Sequence, residues 1–238
     1  MRLKHITFTG VDARTDINRL REIQKQYPIA EFGVLTSYHW YDNGNRYLEP
    51  RTFRDLTRER LNLALHICGS AASDAARGEW SDVHYLSWGK YRYFRRIQLN
   101  VAERNDAPPI VSESPWGNEI IIQQKAQNEL PLYENTLAEW HDYCGKLSVL
   151  LDSSGGRGID TKLKVLPSTG KVGYAGGFSP DNVKEKLSFL MSHVTMGEFW
   201  IDMESGVRTN DWFDLDKVER VLEICQPIIE MYKEDGYE

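Results

Sequence analysis

The sequence predicts an α/β fold of the (β/α)8 barrel class, also called a TIM barrel, with residues 1–238 forming a single domain. Eight short apolar segments of strand length alternate with amphipathic or connecting segments, and this alternation is typical of a parallel sheet covered by helices. The length of 238 residues is also close to the ~250 residues of a typical barrel.

The predicted elements follow from local periodicity and from residues that begin or end helices. The strands are His5–Gly10, Ala30–Ser37, Leu61–Cys68, Phe94–Val101, Glu119–Gln124, Lys146–Asp152, Lys171–Ala175 and Glu198–Met203. The helices are Thr15–Tyr27, Thr52–Arg58, Ala71–Arg77, Leu132–Tyr143, Ser179–Ser192 and Asp214–Tyr232. The aromatic connector Trp80–Tyr93 is predicted to contain little helix.

Composition narrows the class of protein. The formal charge of −6 and the lack of a basic stripe argue against a nucleic-acid partner. Cys68, Cys144 and Cys225 lie far apart and outside any CxxC spacing, so we expect neither disulfides nor a zinc site. We see no signal-like segment and no apolar run long enough to span a membrane, and we therefore expect a cytoplasmic protein without a membrane partner.

Polar residues occur at the predicted carboxyl ends of the strands, where barrels place their functional groups. They are Thr9, Asp12, Thr36, His66, Gln98, Asn100, Gln123, Lys125, Asp152 and Asp202. Each of them alone could simply cap a strand or a helix. His66 lies between Leu65 and Ile67, and a histidine in such an apolar strand is more often a core residue than a catalytic one.

Two glycine-containing loops predict a phosphate site. Gly176 and Gly177 follow the seventh strand, and Ser205 and Gly206 follow the eighth. Glycine lets backbone N–H groups approach an anion closely, and barrels commonly bind phosphate with the loops after these two strands. Tight strand-to-helix turns are the alternative interpretation of either loop alone.

Asp152 is a candidate proton donor. It ends the apolar run Val149-Leu150-Leu151 and precedes a glycine-rich loop, residues 153–158. We expect partial burial to favour its protonated form, although it could also be a loop cap. The loop lacks a Gly-Lys-Ser/Thr ending, so a P-loop is excluded.

Several of these segments together resemble the phosphoribosylanthranilate isomerase family. Ala175–Val183 is similar to the family motif Ala-Gly-Gly-Leu-x-Pro-x-Asn-Val, and Asp202–Val207 resembles Asp-x-Ser-Ser-Gly-Val. Weaker matches are Ile6–Gly10, Asn45–Leu48 with Pro50, Ile97–Asn100, and Leu151-Asp152 with the following glycine-rich loop.

The resemblance implies an Amadori rearrangement of a phosphorylated aminoribose, in which an acid opens the sugar ring and a base removes the C2 proton. Asp152 would be the acid, Arg46 would contact the aromatic acid of the substrate, and the two glycine loops would hold the phosphate. The family's base is a cysteine at the position of Thr9, and its strand-four histidine is replaced by Asn100. A threonine hydroxyl is a poor base at neutral pH.

Because of Thr9, Asp12 or His66 is a candidate for the base, with Gln98 and Asn100 as further substrate contacts. We expect a divergent isomerase that needs no metal and no organic cofactor and acts as a monomer or homodimer on a small phosphorylated substrate. One alternative is a lyase or transferase with the same phosphate site, for which Lys125 is the sole strand-end Schiff-base candidate. The other is a non-catalytic barrel that binds a sugar phosphate.

Overall fold

Eight parallel strands close into a barrel in the computed structural model of the chain, which describes residues 2–38, 44–101, 117–125, 146–165, 171–194 and 197–234. The strands follow sequence order, and β8 pairs with β1. They are β1 (Arg2–Thr9), β2 (Ala30–Thr36), β3 (Leu63–Cys68), β4 (Arg96–Asn100), β5 (Glu119–Lys125), β6 (Leu147–Asp152), β7 (Lys171–Ala175) and β8 (Glu198–Met203). The predicted (β/α)8 barrel is therefore confirmed.

The described helices are α1 (Ile17–Gln26), α2 (Pro50–Arg58), α3 (Ser70–Ala76), α4 (Ser81–Leu86), α5 (Val183–His193) and α6 (Leu215–Glu234). The predicted helix Leu132–Tyr143 lies outside the described residues. The connector after β3 contains α4 and a 3-10 turn at Tyr91–Tyr93, so the expectation of little helix there was wrong.

The start of α5 also differs from its prediction. This helix begins at Val183 instead of Ser179, because the Asn182 side chain accepts a hydrogen bond from the Ser179 backbone N–H and holds the preceding residues in a turn. At α1, by contrast, the Asp16 side chain accepts from Asn18 N and Arg19 N and caps the predicted helix.

Successive side chains along each strand point to opposite faces of the sheet, so the barrel has one core outside the sheet and one inside it. One set of side chains, including Ile6, Phe8, Phe32 and Val34, packs against the surrounding helices in the main apolar cluster. The opposite set fills the barrel, where a small apolar cluster contains Ile121, Leu150 and Trp200. Gly173 makes room for Trp200, because a Cβ there would lie 2.2 Å from the indole ring.

A buried ion pair fills the rest of this interior layer. Arg96 Nε donates to Glu31 Oε2 at 2.9 Å, and both side chains are almost fully buried. Thr7 bridges the pair, donating to Glu31 and accepting from Arg96, while the Arg96 guanidinium lies 4.5 Å from the Trp200 ring. Burial opposes the ionisation of Glu31, but the charges of Arg96 and His5 and the hydrogen bonds from Arg96 and Thr7 together outweigh it and lower the pKa of Glu31.

None of the helices in the described part of the chain is long and apolar enough to cross a membrane. The cytoplasmic location, the single domain and the monomeric or homodimeric state stay predictions of the sequence.

Candidate functional site

A cavity of about 380 Å³ opens at the carboxyl ends of the strands. Its lining combines strand-end side chains with three glycine-containing loops, those that follow β6, β7 and β8. Of the residues predicted for the site, the cavity brings together Thr9, Arg46, His66, Gln98, Asn100, Asp152, Gly176, Gly177, Ser205 and Gly206. Asp12 and Thr36 are not among the lining residues, and the side chain of Lys125 lies outside the described residues.

Asp152 lies at the end of β6, where it is 3% exposed. Its Oδ1 accepts from the Ser154 backbone N–H at 2.9 Å and from the Ser154 hydroxyl at 2.7 Å. Its Oδ2 accepts from the Gln123 amide at 2.9 Å and from the Gly156 backbone N–H. The glycine-rich loop therefore folds over this carboxylate and occupies both of its oxygens with donors.

Thr9 and Asp202 form a second polar pair in the cavity, at the ends of the adjacent strands β1 and β8. The Thr9 hydroxyl donates to Asp202 Oδ1 at 2.7 Å. Burial raises the pKa of Asp202 to about 7, although the hydrogen bond from Thr9 lowers it in part. Gly33 on β2 leaves room for Thr9, because a Cβ at position 33 would lie 2.5 Å from the Thr9 hydroxyl oxygen.

His66, Gln98 and Asn100 form a row on β3 and β4. The Gln98 amide nitrogen lies 3.2 Å from His66 Nδ1 and donates to Asn100 Oδ1 at 3.0 Å. Burial lowers the pKa of His66 to about 3, so its imidazole is neutral at physiological pH. Its Nε2 has no hydrogen-bond partner among the described residues.

The loops after β7 and β8 touch each other. A Cβ on Gly206 would lie 1.9 Å from the Phe178 carbonyl oxygen, so this contact requires glycine. Gly177 has φ +69°, and a Cβ there would also meet the Ile159 carbonyl at 2.3 Å. Within the described ranges, the backbone N–H groups of Gly177 and Gly206 donate to no protein acceptor.

The side chains of Asn182 and Lys186 bind backbone carbonyls of the loop after β7. The Asn182 amide donates to the Gly177 carbonyl at 2.9 Å. Lys186 donates to the Gly176 and Thr161 carbonyls and pairs with Asp160 at 2.7 Å. These contacts direct the loop carbonyls away from the cavity, which gives the Asn of the motif a structural role.

Arg46 forms ion pairs with two carboxylates at the cavity mouth. Its Nη1 donates to Glu204 Oε1 at 2.9 Å, and its Nε donates to Asp211 Oδ1 at 3.3 Å. Partial burial raises the pKa of Glu204, while the charge of Arg46 acts in the opposite direction.

Asp12 is buried outside the cavity. Its Oδ2 accepts from the Phe213 backbone N–H and lies 3.5 Å from Arg208 Nη2, and its Oδ1 accepts from Arg14 N and Thr15 Oγ1. These contacts join the loop after β1 to the hairpin formed by β9 (Arg208–Thr209) and β10 (Trp212–Phe213). The structure thus gives Asp12 no access to a substrate in this cavity, contrary to the base role considered for it.

Sequence reasoning assigned no role to two carboxylates in the cavity. In the sequence Asp202 is one of several strand-end polar residues, and its spacing of two residues from Trp200 puts both side chains on the interior face of β8. The local sequence does not indicate that Glu204 belongs to the site, because its contact with Arg46 spans 158 residues of sequence. Thr36 faces away from the cavity and donates to the Leu86 carbonyl.

The remaining candidate residues bear on three other chemistries: a reactive thiolate, a metal site and a Schiff-base lysine. Cys68 lines the cavity, but burial raises the pKa of its thiol to about 11, which argues against a thiolate. Among the described residues no group of three His, Cys, Asp or Glu side chains could hold a metal ion. Cys144 and the side chain of Lys125, on which the lyase alternative depends, lie outside the described residues.

The chain is similar to known proteins in sequence and in fold. The sequence model of the family described as N-(5'phosphoribosyl)anthranilate (PRA) isomerase matches residues 103–224, about half of the chain. Among solved structures, N-(5'-phosphoribosyl)anthranilate isomerase from Pyrococcus furiosus superposes with a TM-score of 0.54 at 15% identity, covering 94% of this chain and 98% of its own. Phosphoribosyl anthranilate isomerase from Thermococcus kodakaraensis gives 0.52 at 16% identity, covering 93% and 98%. No curated protein matches the chain significantly.

Proposed function

The chain belongs to the N-(5'-phosphoribosyl)anthranilate isomerase family, and on this basis we propose that it is an isomerase that converts an N-linked ribosylamine 5-phosphate into an aminodeoxyketose phosphate. The observation that carries the proposal is that Asp152 and the glycine loops after β7 and β8 border a single cavity. A sugar phosphate held by the loops would have its ring within the same space as the carboxylates.

The phosphate would bind to the N–H groups of Gly177 and Gly206. Both are free of protein acceptors among the described residues, and both belong to loops whose close packing excludes side chains. Backbone N–H groups fixed in this way are suited to an anion in a protein of net charge −6, since they add local positive dipoles without relying on the overall field.

Asp152 would protonate the ring oxygen, which breaks the bond between that oxygen and C1 and leaves an iminium ion. Because both Asp152 oxygens accept hydrogen bonds, the substrate must first displace one donor before the carboxyl group can carry a proton. The Gly156 N–H is a suitable donor to displace, since Gly156 itself lines the cavity.

Asp202 would take the C2 proton, which converts the iminium ion to an enolamine. C1 then gains a proton from solvent while the 2-hydroxyl group loses one, which gives the aminoketose. A base is most effective when its pKa is near the working pH, and the pKa of Asp202 is about 7. Thr9 would orient this carboxylate by donating to Oδ1. His66 is less suited to the role because its pKa of about 3 makes it a weak proton acceptor.

The test is turnover of an N-aryl ribosylamine 5-phosphate in D₂O, followed by NMR. We expect an aminoketose with one solvent deuteron at C1, and we expect Asp152→Asn to lower kcat by about 10²–10⁴-fold. Binding of inorganic phosphate to this variant serves as the control for folding and should change less than threefold.

Two outcomes would contradict the proposal. Turnover in Asp152→Asn equal to that of the unmodified protein would remove the acid from the mechanism. Phosphate binding without any turnover in the unmodified protein would favour a non-catalytic sugar-phosphate binder instead.

A further inference from the structure

The mouth of the cavity on the side of β1 to β3 carries an internal ion pair. Arg46 follows β2, and Glu204 reaches it from the loop after β8, passing Gly10 at the end of β1. Both side chains line the cavity, and the Glu204 side chain is 29% exposed. The pair lines the same cavity as Gly177 and Gly206, so it is available to contact the non-sugar half of a substrate whose phosphate binds there.

From this pair we infer that the non-sugar half of the substrate bears no carboxylate and is a neutral or cationic amine substituent, an inference that rests on the proposed function. Arg46 is the residue that the family resemblance would assign to a substrate carboxylate. In this chain its guanidinium already binds the Glu204 carboxylate at 2.9 Å and the Asp211 carboxylate at 3.3 Å.

The acidic and basic side chains around the cavity also argue against a carboxylate on the non-sugar half of the substrate. Its described lining contains three carboxyl groups, those of Asp152, Asp202 and Glu204, and two guanidinium groups, those of Arg46 and Arg157. Arg157 lies in the loop after β6, where its Nε donates to the Ser154 carbonyl at 2.8 Å. A substrate carboxylate beside Arg46 would therefore face Glu204, and the described residues offer no unpaired cation there.

The other described side chains that line this end of the cavity are uncharged. Tyr47, Cys68 and Asn100 line the cavity, and burial raises the pKa of both Tyr47 and Cys68 to about 12 and about 11, so neither is charged at neutral pH. The family motif quoted above has serine at the position of Glu204, so an acidic side chain here changes the charge of the site. A hydrogen-bond donor or a cation on the substrate would complement Glu204, and an anion would be repelled by it.

The experiment compares three probes that share a ribitol 5-phosphate and differ only in the substituent at C1: anilino, 2-carboxyanilino and 2-(aminomethyl)anilino. Dissociation constants are measured by calorimetry at pH 7.5 with the unmodified protein. We expect the 2-carboxyanilino probe to bind at least about tenfold more weakly than the anilino probe, and the aminomethyl probe to bind at least as tightly as the anilino probe.

Substitutions of Glu204 test whether this residue causes the weaker binding of the 2-carboxyanilino probe. Glu204→Gln and Glu204→Ser should each reduce the discrimination against the carboxylate by about tenfold or reverse it, since Arg46 is then available. Asp211→Asn is the matched control: it also contacts Arg46, but it does not line the cavity, and it should leave the discrimination within threefold.

The outcomes separate this inference from the proposed function. Equal or tighter binding of the 2-carboxyanilino probe by the unmodified protein would overturn the inference and leave the isomerase proposal in place. Discrimination unchanged in both Glu204 variants would overturn it as well. Failure of all three probes to bind would overturn the proposed function and the inference with it.

Discussion

Asp152 and Asp202 are two buried carboxylates in one cavity that have different surroundings. Asp152 accepts four hydrogen bonds, three of them from the loop that follows it, whereas the one hydrogen bond described for the Asp202 side chain comes from Thr9. A shared site that treats two carboxylates differently is a common basis for dividing proton donation and proton removal between them.

The sequence could predict the position of Asp152 but not the importance of Asp202. Asp152 ends an apolar run and precedes a glycine-rich loop, so the local pattern alone singles it out. The raised pKa of Asp202 depends on burial by residues from other strands and on Thr9, which is 193 residues away in sequence.

Replacement of Asp202 by asparagine tests its role as base. We expect kcat/KM of the unmodified protein to rise with pH through about 7 as Asp202 ionises, and we expect Asp202→Asn to lose this dependence together with about 10²–10⁴-fold of the rate. The matched variant Thr9→Val should shift the rise to higher pH, because the hydrogen bond that favours the carboxylate is removed. A pH profile that is the same in all three proteins would contradict this assignment.

The same carboxylate should also affect stability. The folded pKa of Asp202 is raised above that of an unfolded aspartate, so its contribution to stability is complete below about pH 4 and is lost as the pH rises through about 7. Asp202→Asn should therefore match the unmodified protein at pH 4 and exceed it at pH 8 by on the order of 2–4 kcal/mol. Urea unfolding at the two pH values measures this difference, and an equal difference at both would count against the raised pKa.

At the scale of elements, the cavity depends on the contact between the loops after β7 and β8. The sequence pattern predicted both loops from their glycines, and it missed the turn at residues 179–182 because the side chain of Asn182 replaces the first turn of α5. The sequence Ser179-Pro180 favours a helix that begins there. In the structure the hydrogen bonds of Asn182 to Ser179 and Gly177 hold these residues in a turn, and the helix begins at Val183.

Gly177→Ala tests the phosphate loop. Alanine at φ +69° is strained by about 1–2 kcal/mol, and its Cβ would also displace the Ile159 carbonyl. We expect inorganic phosphate to bind at least about tenfold more weakly, as measured by titration calorimetry.

Gly69→Ala is the matched control, because Gly69 has φ +75° and no place in the cavity lining, and a Cβ added there would meet no heavy atom within 4 Å. It should lose the stability that a positive φ costs alanine, without the additional clash, and keep its affinity for phosphate. If the two variants bind phosphate equally well, the anion does not use this loop.

At the scale of the whole molecule, the barrel is held together by a polar interior layer in addition to its apolar cores. Arg96, Glu31 and Thr7 lie on β4, β2 and β1, so their hydrogen bonds connect strands that are not all neighbours. The closed sheet buries them, and removal of one partner leaves a buried charge without its counterion.

Arg96→Met should therefore lower the free energy of unfolding by about 3–5 kcal/mol. The double variant Arg96→Met with Glu31→Leu should recover much of this loss, because neither charge is then buried alone. Arg58→Met, which breaks an exposed pair with Asp55, should cost less than about 1 kcal/mol in the same urea titrations. A double variant less stable than Arg96→Met alone would show that the pair itself stabilises the barrel.

What the sequence determined by itself is local and periodic: eight strands whose alternation closes into a barrel, a carboxylate at the end of β6, and two glycine loops suited to an anion. Tertiary structure decided the contacts between residues far apart in the chain. It placed Asp12 in a hydrogen-bonded turn outside the cavity, raised the pKa of Asp202, and paired Arg46 with Glu204. The physical reason is that burial and ion pairing depend on which strand ends meet when the barrel closes, and no single segment of sequence carries that information.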